Sequence, residues 1–275
     1  MCRWVAYSGS PIRLEDLLYK PEHSLIDQSL HARLGVETTN GDGFGIAWYG
    51  EEPFPALYKG VNPAWNDQNL RELSRHVRSR LIFAHIRAST GSPVQQSNCH
   101  PFRHGRWLWM HNGQIARFHE IKRDLALAIH PELYGELAGS TDTEVFFFLA
   151  LTFGLEEDPP AAVERAVGFI ESVARSHGIE EPVRMSVALS DGNAIWAFRY
   201  STEGKPPSLY YSTDIETLRQ MYPDVAEFHE LSPESRLVVS EPLGNRVGEW
   251  YEVPSSHYGI VHEGQDVLRP FTPRS

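Results

Sequence analysis

The spacing of apolar positions changes period several times along the chain, and each change marks a predicted element. The run RWVAYS at 3–8 reads as a strand, and the amphipathic segments LEDLLY at 14–19 and SLIDQSLHARL at 24–34 follow it. A glycine-rich turn then leads through Asn40–Trp48 into a second strand, with Ala56–Lys59 predicted to pair with it as a hairpin. Helical spacing returns at 66–79, where Leu70, Leu73 and Val77 share a face. Two strongly apolar runs, 80–89 and 106–113, read as central strands separated by a polar loop that contains Pro93, Asn98 and Pro101.

The middle of the chain is helical. Ala116–His130 has an amphipathic pattern, Thr141-Asp142-Thr143-Glu144 is a capping signature for an apolar helix through Phe153, and Pro159-Pro160 opens a helix to about His177. Strand patterns dominate the rest, at 183–190, 194–200, 209–213, 236–242 and 248–254, with one short helix at 214–223. No linker, repeat or low-complexity tract interrupts this order. The pattern predicts one domain over 1–275, made of two sheets with helices packed outside.

Composition narrows the function classes. With 275 residues and 41% hydrophobic content the chain can bury a large core, and a net charge of −11 without a basic run argues against a nucleic-acid partner. The most apolar stretch, 145–153, is too short to span a bilayer, and the start lacks the charged-then-apolar pattern of a secretion signal. The expectation is a cytoplasmic protein with no membrane partner, in which Cys2 and Cys99 are free thiols.

Cys2 stands directly after the initiator methionine. It reads either as a small hydrophobe at the start of a strand or as a nucleophile. Removal of Met1 would give it a free α-amine, with a reference pKa of about 7.7–8.0, able to take the thiol proton. Asn112-Gly113, at the end of an apolar run, is either a plain β-turn or an oxyanion hole built from a side-chain amide and a backbone N–H. Arg87 sits among apolar residues and therefore needs an anion, either an internal carboxylate or that of a substrate. Asp142 is either a helix cap or a partner for a substrate ammonium. Of the 13 histidines, His100 and His104 are four apart, but they lie in a Pro-flanked loop, and no metal site is expected. Gly41-x-Gly43-x-Gly45 leads into a strand, which favours turn geometry over a dinucleotide fingerprint.

Taken together, Cys2, the His85-x-Arg87…Thr90 stretch, Asn98-x-His100-Pro101, His111-Asn112-Gly113 and Thr141-Asp142-Thr143-Glu144 resemble the class II glutamine amidotransferases of the N-terminal nucleophile hydrolase superfamily. These motifs cover residues 2–144, with 145–275 completing the fold. Within the family the chain resembles the stand-alone YafJ-like group, similar to the amidase of ergothioneine synthesis and the glutathione-degrading amidase of yeast. That group shares the Met-Cys-Arg start, a Gly41–Gly45-like strand entry and a late Ser-Glu-Pro-Leu, here Ser240–Leu243.

The resemblance implies an α+β fold, the four-layer αββα sandwich of two mostly antiparallel sheets. It implies Cys2 as nucleophile and base, and Asn112 with the Gly113 N–H as oxyanion hole. Arg87 would bind the substrate α-carboxylate and Asp142 its α-ammonium, with Thr90 and His100 lining the pocket. The implied activity is cleavage of the γ-amide of glutamine or a γ-glutamyl compound through a Cys2 thioester, without cofactor or metal. Ala88 replaces the aromatic residue that many aminotransferring members carry after the arginine, leaving room for a larger substrate. Nothing after residue 144 resembles an ammonia-consuming domain, and no P-loop is present. The chain is therefore expected to hydrolyse γ-glutamyl amides outright or to supply ammonia to a separate synthase. A non-catalytic binder that keeps the fold is a further alternative, disfavoured because a binder needs neither nucleophile nor oxyanion hole.

Overall fold

The computed structural model describes residues 2–34, 39–89 and 91–274. The first third comprises β1 (Arg3–Arg13), α1 (Leu14–Leu18), α2 (Leu25–Leu30), β2 (Phe44–Trp48), β3 (Ala56–Gly60), α3 (Gln68–His76) and β4 (Arg78–Ile86). The middle comprises β5 (Phe102–His104), β6 (Trp107–Ile115), α4 (Phe118–Leu127), α5 (Pro131–Tyr134), α6 (Asp142–Thr152) and α7 (Pro159–Ser176). After it come β7 (Val183–Ser190), β8 (Ile195–Ser201), β9 (Tyr210–Ser212), α8 (Ile215–Met221) and α9 (Ala226–Glu230). The last strands are β10 (Arg236–Val239), β11 (Trp250–Glu252), β12 (His257–His262) and β13 (Gln265–Pro270).

These strands form two antiparallel sheets, ordered β11-β9-β10-β1-β4-β2-β3 and β13-β12-β8-β7-β6-β5. Trp4, Ala6, Phe83, Leu108, Met110 and Ala188 pack together between the sheets. The other face of the first sheet buries Val5, Tyr7, Ile82 and Ala84 under Leu14, Leu17 and Leu25 of α1 and α2 and Leu70 of α3. The other face of the second sheet buries Trp109, Val187 and Phe198 under α4, α6 and α7. The result is a four-layer αββα sandwich, as the resemblance implies. Strands buried on both faces read as continuous apolar runs, which is why 80–89 and 106–113 show little alternation.

The apolar helix α6 is covered on all sides, since Val145 through Leu151 are all buried. Its N-cap is Thr141, whose hydroxyl accepts the Glu144 N–H. Several features differ from the sequence pattern: β5, α5 and α9 fall where no element is predicted, and β1 and the closing hairpin depart from it. β1 runs on past Ser8 to Arg13 through an irregularity in its pairing with β4, where a side chain at Gly9 would overlap Ser235. The closing hairpin β12–β13 lies beyond the last predicted strand, and its turn is made by Glu263 and Gly264 at φ 49° and 74°. No helix among the described residues is long and apolar enough to cross a membrane.

Candidate active site

β1 is an interior strand, bonded to β4 on one side and β10 on the other, and this fixes the start of the chain. Its first residue, Arg3, pairs with Ile86, so half-buried Cys2 falls beside Ala88 just past the end of β4. The Cys2 sulfur lies 3.5 Å from both the Ala88 N–H, which donates to it, and the Ala88 carbonyl, which accepts from it. Burial pushes the Cys2 thiol pKa up, opposed by the Ala88 hydrogen bond and by the charges of Arg87 and Arg3. Met1 and Thr90 lie outside the described residues.

Arg87 is 3% exposed. Its guanidinium donates to the Asp42 carbonyl at 3.4 Å, the Ser89 hydroxyl at 3.1 Å, and the carbonyl and hydroxyl of Ser92 at 3.3 and 2.6 Å. All four acceptors are neutral, and no carboxylate among the described residues forms an ion pair with it. The Asp42 carboxylate instead accepts the Ser89 N–H at 2.8 Å. Backbone bonds from Asp42 N–H to Arg87 O and from Arg87 N–H to Gly43 O wrap the glycine-rich turn around the arginine. Gly43 is required there: at φ 106° it faces the Cys99 sulfur, 2.7 Å from where a Cβ would sit. A buried cation held only by neutral oxygens is suited to receive an anion.

Asn112 and Gly113 are not a turn. β6 runs straight through them, with Asn112 opposite Ser186 and Gly113 opposite Met185. Gly113 adopts φ 151°, and a Cβ there would overlap the Arg184 carbonyl oxygen. Asn112 is 2% exposed, and among the described residues its buried Oδ1 has no hydrogen-bond partner, nor has the Ser186 Oγ across the strand pair. Cys2, Ala88, Asn112, Gly113, Gln114, Arg184 and Pro207 line one open cleft.

The Thr141–Glu144 motif divides its work. Thr141 is the cap, whereas Asp142 occupies the first helical position and ties the helix to β6, its Oδ2 accepting the Ile115 N–H at 2.7 Å. The Thr143 hydroxyl bonds His111 Nδ1 at 2.9 Å, and Glu144 accepts the N–H groups of Ala138 and Gly139. Asp142 is partly exposed; neither it nor Arg87 lines the cleft beside Cys2.

Three buried histidines stand behind these residues. His85 Nε2 donates to the His111 carbonyl at 3.3 Å, and the rings of His85 and His100 are 4.1 Å apart. The His111 N–H donates to His100 Nδ1 at 3.4 Å. Burial lowers the pKa of all three, to about 3 for His85 and well below its ordinary value for His100. For His111, burial is partly opposed by Asp142 and by the Arg184 carbonyl. His100 is thus a neutral residue packed against His85 and Phe102, outside the cleft lining. His104 points elsewhere, pairing with Glu136 at 2.9 Å. Among the described residues no group of three or more His, Cys, Asp or Glu is placed to hold a metal ion.

The chain matches the family model for class-II glutamine amidotransferases over residues 22–270. It is 34% identical to the Saccharomyces cerevisiae protein named "Probable glutamine amidotransferase DUG3", covering 98% of this chain and 84% of that one. It is 25% identical to the γ-glutamyl-hercynylcysteine sulfoxide hydrolase of Mycolicibacterium smegmatis, covering 98% of this chain and all of the relative (100%). A solved glutamine aminotransferase class-II domain protein from Silicibacter pomeroyi superposes over 100% of both chains with a TM-score of 0.75 and 36% identity. The phosphoribosylpyrophosphate amidotransferase of B. subtilis shares the fold, with a TM-score of 0.65 and 15% identity over 99% of this chain and 50% of that one.

Proposed function

Since the chain belongs to the class II glutamine amidotransferases, hydrolytic enzymes with the N-terminal nucleophile hydrolase fold, we propose that it cleaves the γ-amide of glutamine or a γ-glutamyl compound through a thioester on Cys2. The observation that carries this reading is the shared cleft, which Cys2, Asn112 and Gly113 line together.

In this mechanism, removal of Met1 leaves Cys2 with an α-amine that takes the thiol proton. The thiolate attacks the γ-carboxamide carbon, and the Asn112 amide and the Gly113 N–H stabilise the tetrahedral oxyanion. The C–N bond breaks as the amine or ammonia leaves with a proton, and water then hydrolyses the γ-glutamyl thioester. Arg87, lacking a carboxylate partner among the described residues, takes the substrate α-carboxylate, and Asp142 takes the α-ammonium. Thr90 and His100 are assigned to the same end of the site, His100 from behind it.

Two observations favour a substituted amide over free glutamine. Ala88 presents only a methyl group beside Cys2, and the cleft is open and extends past Gly113 to Gln114, Arg184 and Pro207. The test is to incubate protein of verified N-terminus with glutamine, glutathione and other γ-glutamyl compounds and to follow glutamate release. Faster release from a substituted amide supports a stand-alone amidase, while release from glutamine alone supports a subunit that feeds ammonia to a separate synthase. Retention of hydrolysis by Cys2→Ala overturns the mechanism.

A further inference from the structure

The stretch Ser240-Glu241-Pro242-Leu243 takes no part in the chemistry above, yet it meets the chain at the nucleophile. Arg3, next to Cys2, is 2% exposed and Glu241 is 2% exposed. Arg3 Nε donates to Glu241 Oε2 at 2.8 Å, and Arg3 Nη1 donates to the Cys2 carbonyl at 3.0 Å. One planar fork thus bonds a buried carboxylate and the peptide of the nucleophile together. Ser240 braces the next residue, its hydroxyl accepting the Trp4 N–H at 2.9 Å and its N–H donating to the Trp4 carbonyl at 3.0 Å.

Glu241 has further partners. His23 Nε2 bonds its Oε1 at 2.6 Å, and the backbone N–H groups of Arg33 and Leu34 donate to its two oxygens at 2.9 and 3.0 Å. Asn40 to Gly43, a few residues beyond Leu34, supply the turn that wraps Arg87. A well-packed apolar pair would stabilise a core as well as a buried ion pair does, so an ion pair here calls for a geometric reason. The geometry supplies one: this carboxylate ties the residue after the nucleophile to the segment leading to the Arg87 end of the site.

We propose that Glu241 is a positioning residue for Cys2, acting through Arg3, with His23 and the 33–34 backbone fixing the carboxylate in turn. The assignment rests on Cys2 being the nucleophile. A displacement of the attacking sulfur by about an ångström is enough to cost roughly 10²-fold in rate.

Two variants test it. Glu241→Gln keeps the shape and loses the charge, while Arg3→Lys keeps the charge and loses the planar fork that reaches both partners. In each, kcat for γ-glutamyl hydrolysis falls by about 10²-fold, more than KM rises, because no group that touches the substrate is removed. Wild-type kcat in either folded variant overturns the proposal, and so does a change confined to KM. Should Glu241→Gln fail to fold, Arg3→Lys and His23→Gln, which leave Glu241 in place, decide by the same split. Cys2→Ala run alongside separates the two ideas: hydrolysis surviving there removes the functional reading itself, whereas a dead Cys2→Ala beside fully active Arg3→Lys removes only the role of Glu241.

Discussion

Lowering the pH from 6.5 to 4.5 is expected to remove a large part of the stability of this fold through its buried histidines. In the unfolded chain each histidine takes a proton as the pH falls through about 6.5, but burial holds His85 at about 3, so the folded state stays neutral throughout that window. A depressed histidine pKa stabilises the fold fully above the unfolded value and loses that contribution as the pH drops below it, by about 1.4 kcal/mol per pH unit. Because the unfolded histidine is only half protonated at pH 6.5, His85 alone amounts to roughly 2 kcal/mol over the two units. His100, lowered by the same burial, acts in the same direction, and the His85 loss alone is a sizeable part of a typical stability of about 5–15 kcal/mol. Guanidinium unfolding at pH 7.5, 6.5, 5.5 and 4.5 gives the slope directly. In His85→Gln, which keeps a donor for the His111 carbonyl, the loss over this range shrinks by roughly 2 kcal/mol. A wild-type stability that is flat between pH 6.5 and 4.5, or an identical slope in the variant, refutes the reasoning.

Other substitutions separate stability from chemistry. Gly113→Ala forces a Cβ onto the Arg184 carbonyl at φ 151°. It should cost about 1–3 kcal/mol in denaturant unfolding and at least 10²-fold in kcat as the N–H moves. Arg87→Gln should raise KM for any substrate bearing an α-carboxylate, and unchanged KM in steady-state assays would argue against the assigned anion. Asp142→Asn should raise KM more than it lowers kcat, and the opposite split would count against ammonium binding. Thr141→Ala removes the hydroxyl that accepts the Glu144 N–H and should lower the unfolding free energy by about 0.5–2 kcal/mol. Its kcat per folded molecule should stay close to wild type.

Local physics made most of the sandwich legible. Continuous apolar runs identified β4 and β6, Pro159-Pro160 marked the start of α7, and the glycine-rich stretch before Phe44 was read correctly as a turn entering a strand. The β12–β13 hairpin was missed, although Glu263-Gly264 flanked by short alternating segments is a turn signal. Asn112-Gly113 shows the limit of dipeptide signals. The same two residues that favour a β-turn in isolation stay in an extended strand here, because β6 is paired with β7 across all of Leu108 to Ile115. The capping signature was sound, but only the structure divides it, giving the cap to Thr141 and the tie to β6 to Asp142.

What the sequence hides is any partnership across long separations. Arg3 and Glu241 stand 238 positions apart, and nothing in the local pattern of either names the other. Cys2 lies just ahead of β1, so the bonds that β1 makes on both sides set its place. β1 lies inside the sheet, with β4 and β10 on its two sides, and the bracing continues at Arg3 and Trp4 through Glu241 and Ser240. The residues next to Cys2 are thereby held where the proposed chemistry tolerates displacement least. The last third of the chain thus completes the sheet and also supports the beginning of the chain.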